Sequence, residues 1–150
     1  MIPNRLVIDT NVLLDLFVFH DPRWNGLLEA LKSGAIQGVT REDCRQEWLH
    51  VLHYPHLPLD EQKRQAAVAE CDRLIGTSDA AASATPLPVC SDRDDQKFLE
   101  LARDAQAAAL VTKDKALLKL ARRTAKANMF RILTPQAWLQ EQSAGQHSAR

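Results

Sequence analysis

The sequence predicts an α/β fold: a short, mainly parallel central sheet of four or five strands with helices on both faces. The first observation behind this is alternation. Brief strand-like runs at Arg5–Ile8, Ile36–Val39, Ala109–Val111 and Phe130–Leu133 are separated by longer stretches of helical character. Strands joined through helices make crossover connections, which give a parallel sheet buried on both sides. The second is how two of the runs end. Leu6-Val7-Ile8-Asp9-Thr10-Asn11 and Ala109-Leu110-Val111-Thr112-Lys113-Asp114 each pass from apolar to small polar residues and then, or first, an aspartate. In open α/β sheets ligands bind just outside the carboxyl ends of the strands, so two such strands can deliver two acids to one place.

The elements follow in order. After Arg5–Ile8, the apolar stretch from Asn11 to Phe19 predicts a short helix. Asp21-Pro22 predicts the next helix start, with Asp as cap and Pro in the first position, and Gly34 its stop. A strand over Ile36–Val39 leads to Thr40, read as the cap of a helix through about His53, with Glu42 and Asp43 in its acidic first turn. Pro55 and Pro58 interrupt the chain, and an Ala-rich charged helix is expected from Leu59 to Ile75, ending at Gly76. Residues 77–88 carry no period and read as a loop, with Val89-Cys90 a strand remnant. Ser91 or Asp92 caps a helix over 93–106 whose apolar stripe is Phe98, Leu101, Ala102 and Ala105. Lys115–Lys126 reads as one basic amphipathic helix, and Thr134-Pro135 opens a last helix with Trp138 inward. The expected organisation is a single domain over residues 1–142 and a polar tail over 143–150.

Composition narrows the function classes. A chain of 150 residues fits one domain. No apolar run approaches the roughly 18 residues of a membrane span. The start runs directly into a strand and leaves no room for a signal peptide. Cys44, Cys71 and Cys90 are odd in number and lack metal-type spacing, so free thiols in a cytoplasmic protein are expected. Zero net charge argues against a generic nucleic-acid binder. Charge is unevenly placed, however: Lys113, Lys115, Lys119, Arg122, Arg123, Lys126 and Arg131 face one acid, Asp114, over that stretch. Beside an acidic cleft such a segment would attract a phosphodiester backbone; alone it would be a solvated helix face.

The acids each have a plainer alternative. Asp9 directly follows three apolar residues, where a charge is costly without a cation, although an ordinary helix cap would also place it there. Asp114 repeats that logic. Glu47 lies mid-helix and by itself reads as a surface residue. Asp92, Asp94 and Asp95 open a helix, where acids complement the dipole. Asp95 lies one turn from Phe98 and so leans toward the sheet, which favours it over Asp94 without closing the choice. His50, His53 and His56 recur every third residue, but Pro55 breaks the helix between them, favouring surface or substrate contacts over a zinc site. A set of Asp9, Glu47, Asp95 and Asp114 holds oxygen donors only, which suits hard divalent cations.

These segments resemble the PIN-domain nucleases. The matching stretches are Val7-Ile8-Asp9-Thr10-Asn11-Val12-Leu13, then Glu47 ahead of Val51-Leu52 and Pro55, then Asp92 to Leu99, then Leu110 to Lys115, in family order over about residues 4–138. The sequence is most similar to the branch of ribonuclease toxins of bacterial type II toxin–antitoxin systems. The resemblance implies a three-layer α/β/α fold and a Mg²⁺- or Mn²⁺-dependent ribonuclease with Asp9, Glu47, Asp95 and Asp114 as its acidic quartet. It also implies that Thr10 or Asn11, together with Thr112, orients the carboxylates, with Asp94 as the alternative third acid. Lys113, Lys115, Lys119 and Arg122 are the expected RNA contacts. The implied partners are RNA, a small antitoxin and a second copy of the chain, with Leu14, Phe17 and Phe19 as candidate dimer residues that core burial explains equally well. The histidines after Glu47 depart from the basic residues usual in that branch. A non-catalytic RNA-processing or protein-binding module is the competing reading. A phosphatase of another Asp-dependent α/β family fits less well, because Asn11 stands where its second acid would be.

Overall fold

The computed structural model describes residues 1–148. Five strands form one all-parallel sheet: β1 (Ile2–Ile8), β2 (Gln37–Thr40), β3 (Ile75–Thr77), β4 (Ala107–Val111) and β5 (Arg131–Leu133), in the order β3-β2-β1-β4-β5. The chain builds outward from β1 to β2 and β3, then returns to lay β4 on the other side of β1. The β1/β4 junction is therefore the topological switch point, where the crevice of such a sheet opens.

Side-chain alternation splits the core in two. Leu6 and Ile8 of β1 and Ala109 and Val111 of β4 face one layer. That layer includes Val12, Leu16 and Phe17 of α1 (Thr10–Phe17), Leu27 and Leu31 of α2 (Asn25–Ser33) and Trp48 of α3 (Glu42–Val51). Ala67 and Cys71 of α4 (Glu61–Leu74) and Trp138 of α8 (Pro135–Ser148) complete it. Val7 and Leu110 face the opposite layer, with Phe98, Leu99 and Ala102 of α5 (Gln96–Asp104), Leu117 of α6 (Lys115–Leu118) and, after α7 (Ala121–Lys126), Phe130. The expected three-layer α/β/α architecture is what the chain adopts.

Boundaries differ where local chemistry is subtle. Asp21 caps a single 3₁₀ turn, Pro22–Trp24, by accepting from the Arg23 N–H at 3.0 Å, and α2 follows it. Gly34 ends α2 at φ 81°, a left-handed conformation that suits glycine. Thr40 does not cap α3. It is drawn into the sheet opposite Thr77, and the extended Arg41 takes the cap position. The helix expected from Leu59 to Ile75 begins at Glu61, capped by Asp60 through the Lys63 N–H at 2.7 Å, and stops at Leu74. Ile75–Thr77 then forms the edge strand β3. Val89-Cys90 is not a strand. Gln96 pins this segment instead, accepting from the Cys90 N–H at 2.7 Å and donating to the Pro88 carbonyl at 3.1 Å. The helix expected over 93–106 is a 3₁₀ turn, Arg93–Asp95, followed by α5, and the basic helix expected over 115–126 is divided into α6 and α7. Residues 143–148 of the expected tail continue α8, and 149–150 lie outside the described residues.

Candidate active site: a carboxylate cleft at the β1/β4 switch point

Pairing of Ile8 with Val111 brings the ends of β1 and β4 side by side, and the Asp9 N–H donates to the Val111 carbonyl at 3.0 Å. Asp9 is 3% exposed. Thr112, fully buried, donates its hydroxyl to Asp9 Oδ2 at 2.6 Å and accepts from the Asp114 N–H at 3.0 Å. One threonine thus fixes both strand-end acids. Asp114 in turn caps α6, its Oδ1 accepting from the Ala116 N–H at 2.7 Å.

The other acids arrive from helices. Cys44 and Trp48 are the buried positions of α3, followed by buried Leu52 at its C-cap, and this seating turns the half-buried Glu47 and Val51 toward the cleft. The Thr10 hydroxyl donates to Glu47 Oε2, and the Lys97 ammonium lies 2.9 Å from Glu47 Oε1. Asp95, 8% exposed, enters at the base of α5, and its Oδ2 is buried without a hydrogen-bond partner. Asp9, Thr10, Asn11, Glu47, Asp95 and Asp114 line one cleft of about 300 Å³. Leu14, Val51, Tyr54 and His56 complete its wall.

Asp95 faces the cleft, whereas Asp94 is exposed and contributes its backbone carbonyl to Lys97. The sequence reading gave Asp92 as a candidate helix cap and left it out of the acidic quartet. In the structure Asp92, Asp95 and Asp114 bring one carboxylate oxygen each within 4.8 Å of one another. Its signal was present, since a cap residue three positions before Asp95 shares that helical face. His50, His53 and His56 do not converge with other ligating groups among the described residues. His50 and His56 instead flank Tyr54, with ring centroids 5.6 and 5.8 Å away. Lys113 is exposed but committed: it donates to the buried Asp15 at 2.6 Å, which also accepts from the Trp24 indole at 3.1 Å. Lys115, Lys119 and Arg122 are exposed along α6, its end and α7.

Electrostatic strain is concentrated here. Burial, opposed by the Thr112 hydroxyl and the Thr10 backbone and reinforced by Glu47 and Asp114, raises the Asp9 carboxyl to about 6. Burial also raises Asp95, with a hydrogen bond to Asp114 that favours its protonated form and repulsion from Asp114, Asp9 and Asp92 bringing it to about 8. Crowded carboxylates of this kind are stabilised by taking up protons or a cation.

A doubly wound parallel sheet with a carboxylate cleft at its switch point defines a class of α/β domains that bind their ligands there. Within that class the chain belongs to the PIN-domain family, whose profile matches residues 5–116 and so spans all four predicted acids. Domains of this family are in general metal-dependent nucleases. No curated protein matches the chain. Among the described residues no helix is long and apolar enough to cross a membrane.

Proposed function

We propose that the chain is a Mg²⁺- or Mn²⁺-dependent endoribonuclease and the toxin component of a toxin–antitoxin pair. The observation that carries the catalytic reading is the buried, unpartnered Oδ2 of Asp95, a residue lining a cleft where every ionisable wall residue except Tyr54 and His56 is a carboxylic acid. An all-oxygen donor set fits Mg²⁺ or Mn²⁺ and suits zinc or copper less well. Asp9, Glu47, Asp95 and Asp114 are the catalytic acids in this reading. When bound, a divalent ion polarises the scissile phosphate and makes a water more acidic.

The protein's own part is positioning. Thr112 holds Asp9 and the start of the Asp114 loop in one orientation, and Thr10 does the same for Glu47. Asn11 stands exposed on the wall with an amide free to meet a phosphate oxygen. Tyr54, 41% exposed, offers a ring for an unstacked base beside the acids. Lys115, Lys119 and Arg122 would hold the RNA backbone. Three buried free thiols suit a reducing cytoplasm.

The test is cleavage of a mixed RNA pool with Mn²⁺ or Mg²⁺. Asp9→Asn is expected to lower the rate by at least about 10²-fold, the scale of losing several kcal/mol of charge stabilisation, and EDTA to stop it. A folded protein that cleaves no RNA with any divalent metal would leave the binding-module reading. For the toxin role, expression should arrest growth and a small protein encoded next to this chain should relieve it. Cleavage without growth arrest would reject the toxin and keep the nuclease.

A further inference from the structure

The four acids that line the cleft and the neighbouring Asp92 are not equivalent. Glu47 has both oxygens engaged, Oε2 by the Thr10 hydroxyl and Oε1 by Lys97 at 2.9 Å. Lys97 is held in turn by the Asp94 carbonyl, and its side chain is only 19% exposed. Among the described residues this is the one ion pair made by a cleft acid. Its position follows from the 3₁₀ turn at Arg93–Asp95, which starts α5 with Lys97 directed toward α3.

The opposite side of the cleft is built differently. Asp92 Oδ1 accepts from the Asp94 N–H at 3.0 Å and Asp114 Oδ1 from the Ala116 N–H at 2.7 Å, so each carboxylate is oriented through one oxygen. Asp95 adds its unpartnered buried Oδ2, and the three groups converge within 4.8 Å. The convergence alone would be an acidic cluster; the unpartnered oxygen, in a residue more than nine-tenths buried, is the second observation that points to a cation ligand.

We propose that Lys97 is a built-in counter-cation for Glu47, so that the cleft takes one divalent ion, on the Asp92, Asp95 and Asp114 side, with Asp92 among its ligands. A lysine ammonium supplies one positive charge and three donors but cannot bridge carboxylates as a divalent ion does. It satisfies Glu47 while withdrawing that carboxylate from a second ion. Lys97 is thus a positioning residue, acting through Glu47. This inference rests on the metal-dependent reading of the same cleft.

The test is Mn²⁺ binding to the full chain without RNA, with free Mn²⁺ counted by electron paramagnetic resonance. The wild type is expected to bind one Mn²⁺. Asp92→Asn should weaken it by at least tenfold, as loss of a ligand does, and Glu47→Gln by less than about threefold. Lys97→Met should raise the count from one to two by releasing Glu47, while Lys97→Arg should keep it at one. A wild-type count of two, an unchanged count in folded Lys97→Met, or equal weakening by Glu47→Gln and Asp92→Asn would each overturn the inference and leave the nuclease reading standing. No binding by any of these proteins at millimolar Mn²⁺ would overturn the metal centre itself.

Discussion

Asp95 concentrates the chemistry of the cleft in one carboxyl. Its folded-state value of about 8 lies far above the 3.8 of an unperturbed aspartate, and Asp9 at about 6 is displaced the same way. An acid with a raised folded value keeps its proton in the native state where the unfolded chain has already lost it. The native state therefore binds more protons between about pH 4 and pH 8, and stability must fall as pH rises through that window. Metal-free protein is expected to melt lower at pH 8 than at pH 5. Asp95→Asn should flatten that slope and raise the pH 8 Tm by about 4 °C or more, the equivalent of one to two kcal/mol in a chain of this size. Differential scanning calorimetry in EDTA reads both, and an Asp95→Asn protein with the wild-type slope would show that Asp95 is not the strained group. At this scale the sequence was informative about the two strand-end aspartates, because three apolar residues before Asp9 and before Thr112 leave little choice of where the strands end. It offered Asp92 only as a helix cap on the face of Asp95, and it was silent on Lys97. Their roles depend on a 3₁₀ turn that redirects the first residues of α5, and periodicity counted on a regular helix does not register such a turn.

Elements long enough to show a period were legible, and those set by contacts between distant segments were not. α5, with Phe98, Leu99, Leu101 and Ala102 buried on one side, is amphipathic enough to be found from sequence alone. β3 is three residues long, and its first residue looks like the last turn of α4 until Gly38 is considered. Ile75 lies opposite Gly38 in the register, and a Cβ at Gly38 would come within 2.4 Å of Ile75 Cδ1 and 3.1 Å of Leu31 Cδ2. The absent side chain lets the edge strand and α2 close over β2. Gly38→Ala is expected to cost about 1–3 kcal/mol by overpacking. Ile75→Val removes the methyl in the way, so the double variant should be more stable than the sum of the single effects. Urea denaturation of the four proteins measures that coupling, and strict additivity would refute the close approach as the cause.

Over the whole molecule, zero net charge conceals a division between the acidic cleft and the basic segment that begins at its edge. Asp114 belongs to both, as a wall residue and as the cap of α6, so the RNA-binding proposal places a phosphate backbone over α6 and α7 with one end at the acids. The basic residues are not equivalent in this arrangement. Lys119 and Arg122 are exposed, and no ion pair is seen for either among the described residues, whereas Lys113 neutralises buried Asp15 and ties the Thr112–Asp114 segment to α1. Each phosphate contact to a single strand contributes about 0.7 to the slope of log affinity against log salt concentration. The Lys119→Ala/Arg122→Ala protein, loaded with Ca²⁺ to limit cleavage, should therefore bind RNA with a slope lower by about 1.4 while keeping the wild-type Tm. Lys113→Ala should do the reverse: it leaves a buried carboxylate without its cation, lowering the Tm more than it changes the slope. Fluorescence anisotropy at several salt concentrations, paired with thermal melts, separates the two. A double variant with an unchanged slope would move the RNA path off α6 and α7. A Lys113→Ala protein that lost slope without losing Tm would make Lys113 a phosphate contact and reduce its pair with Asp15 to a resting contact.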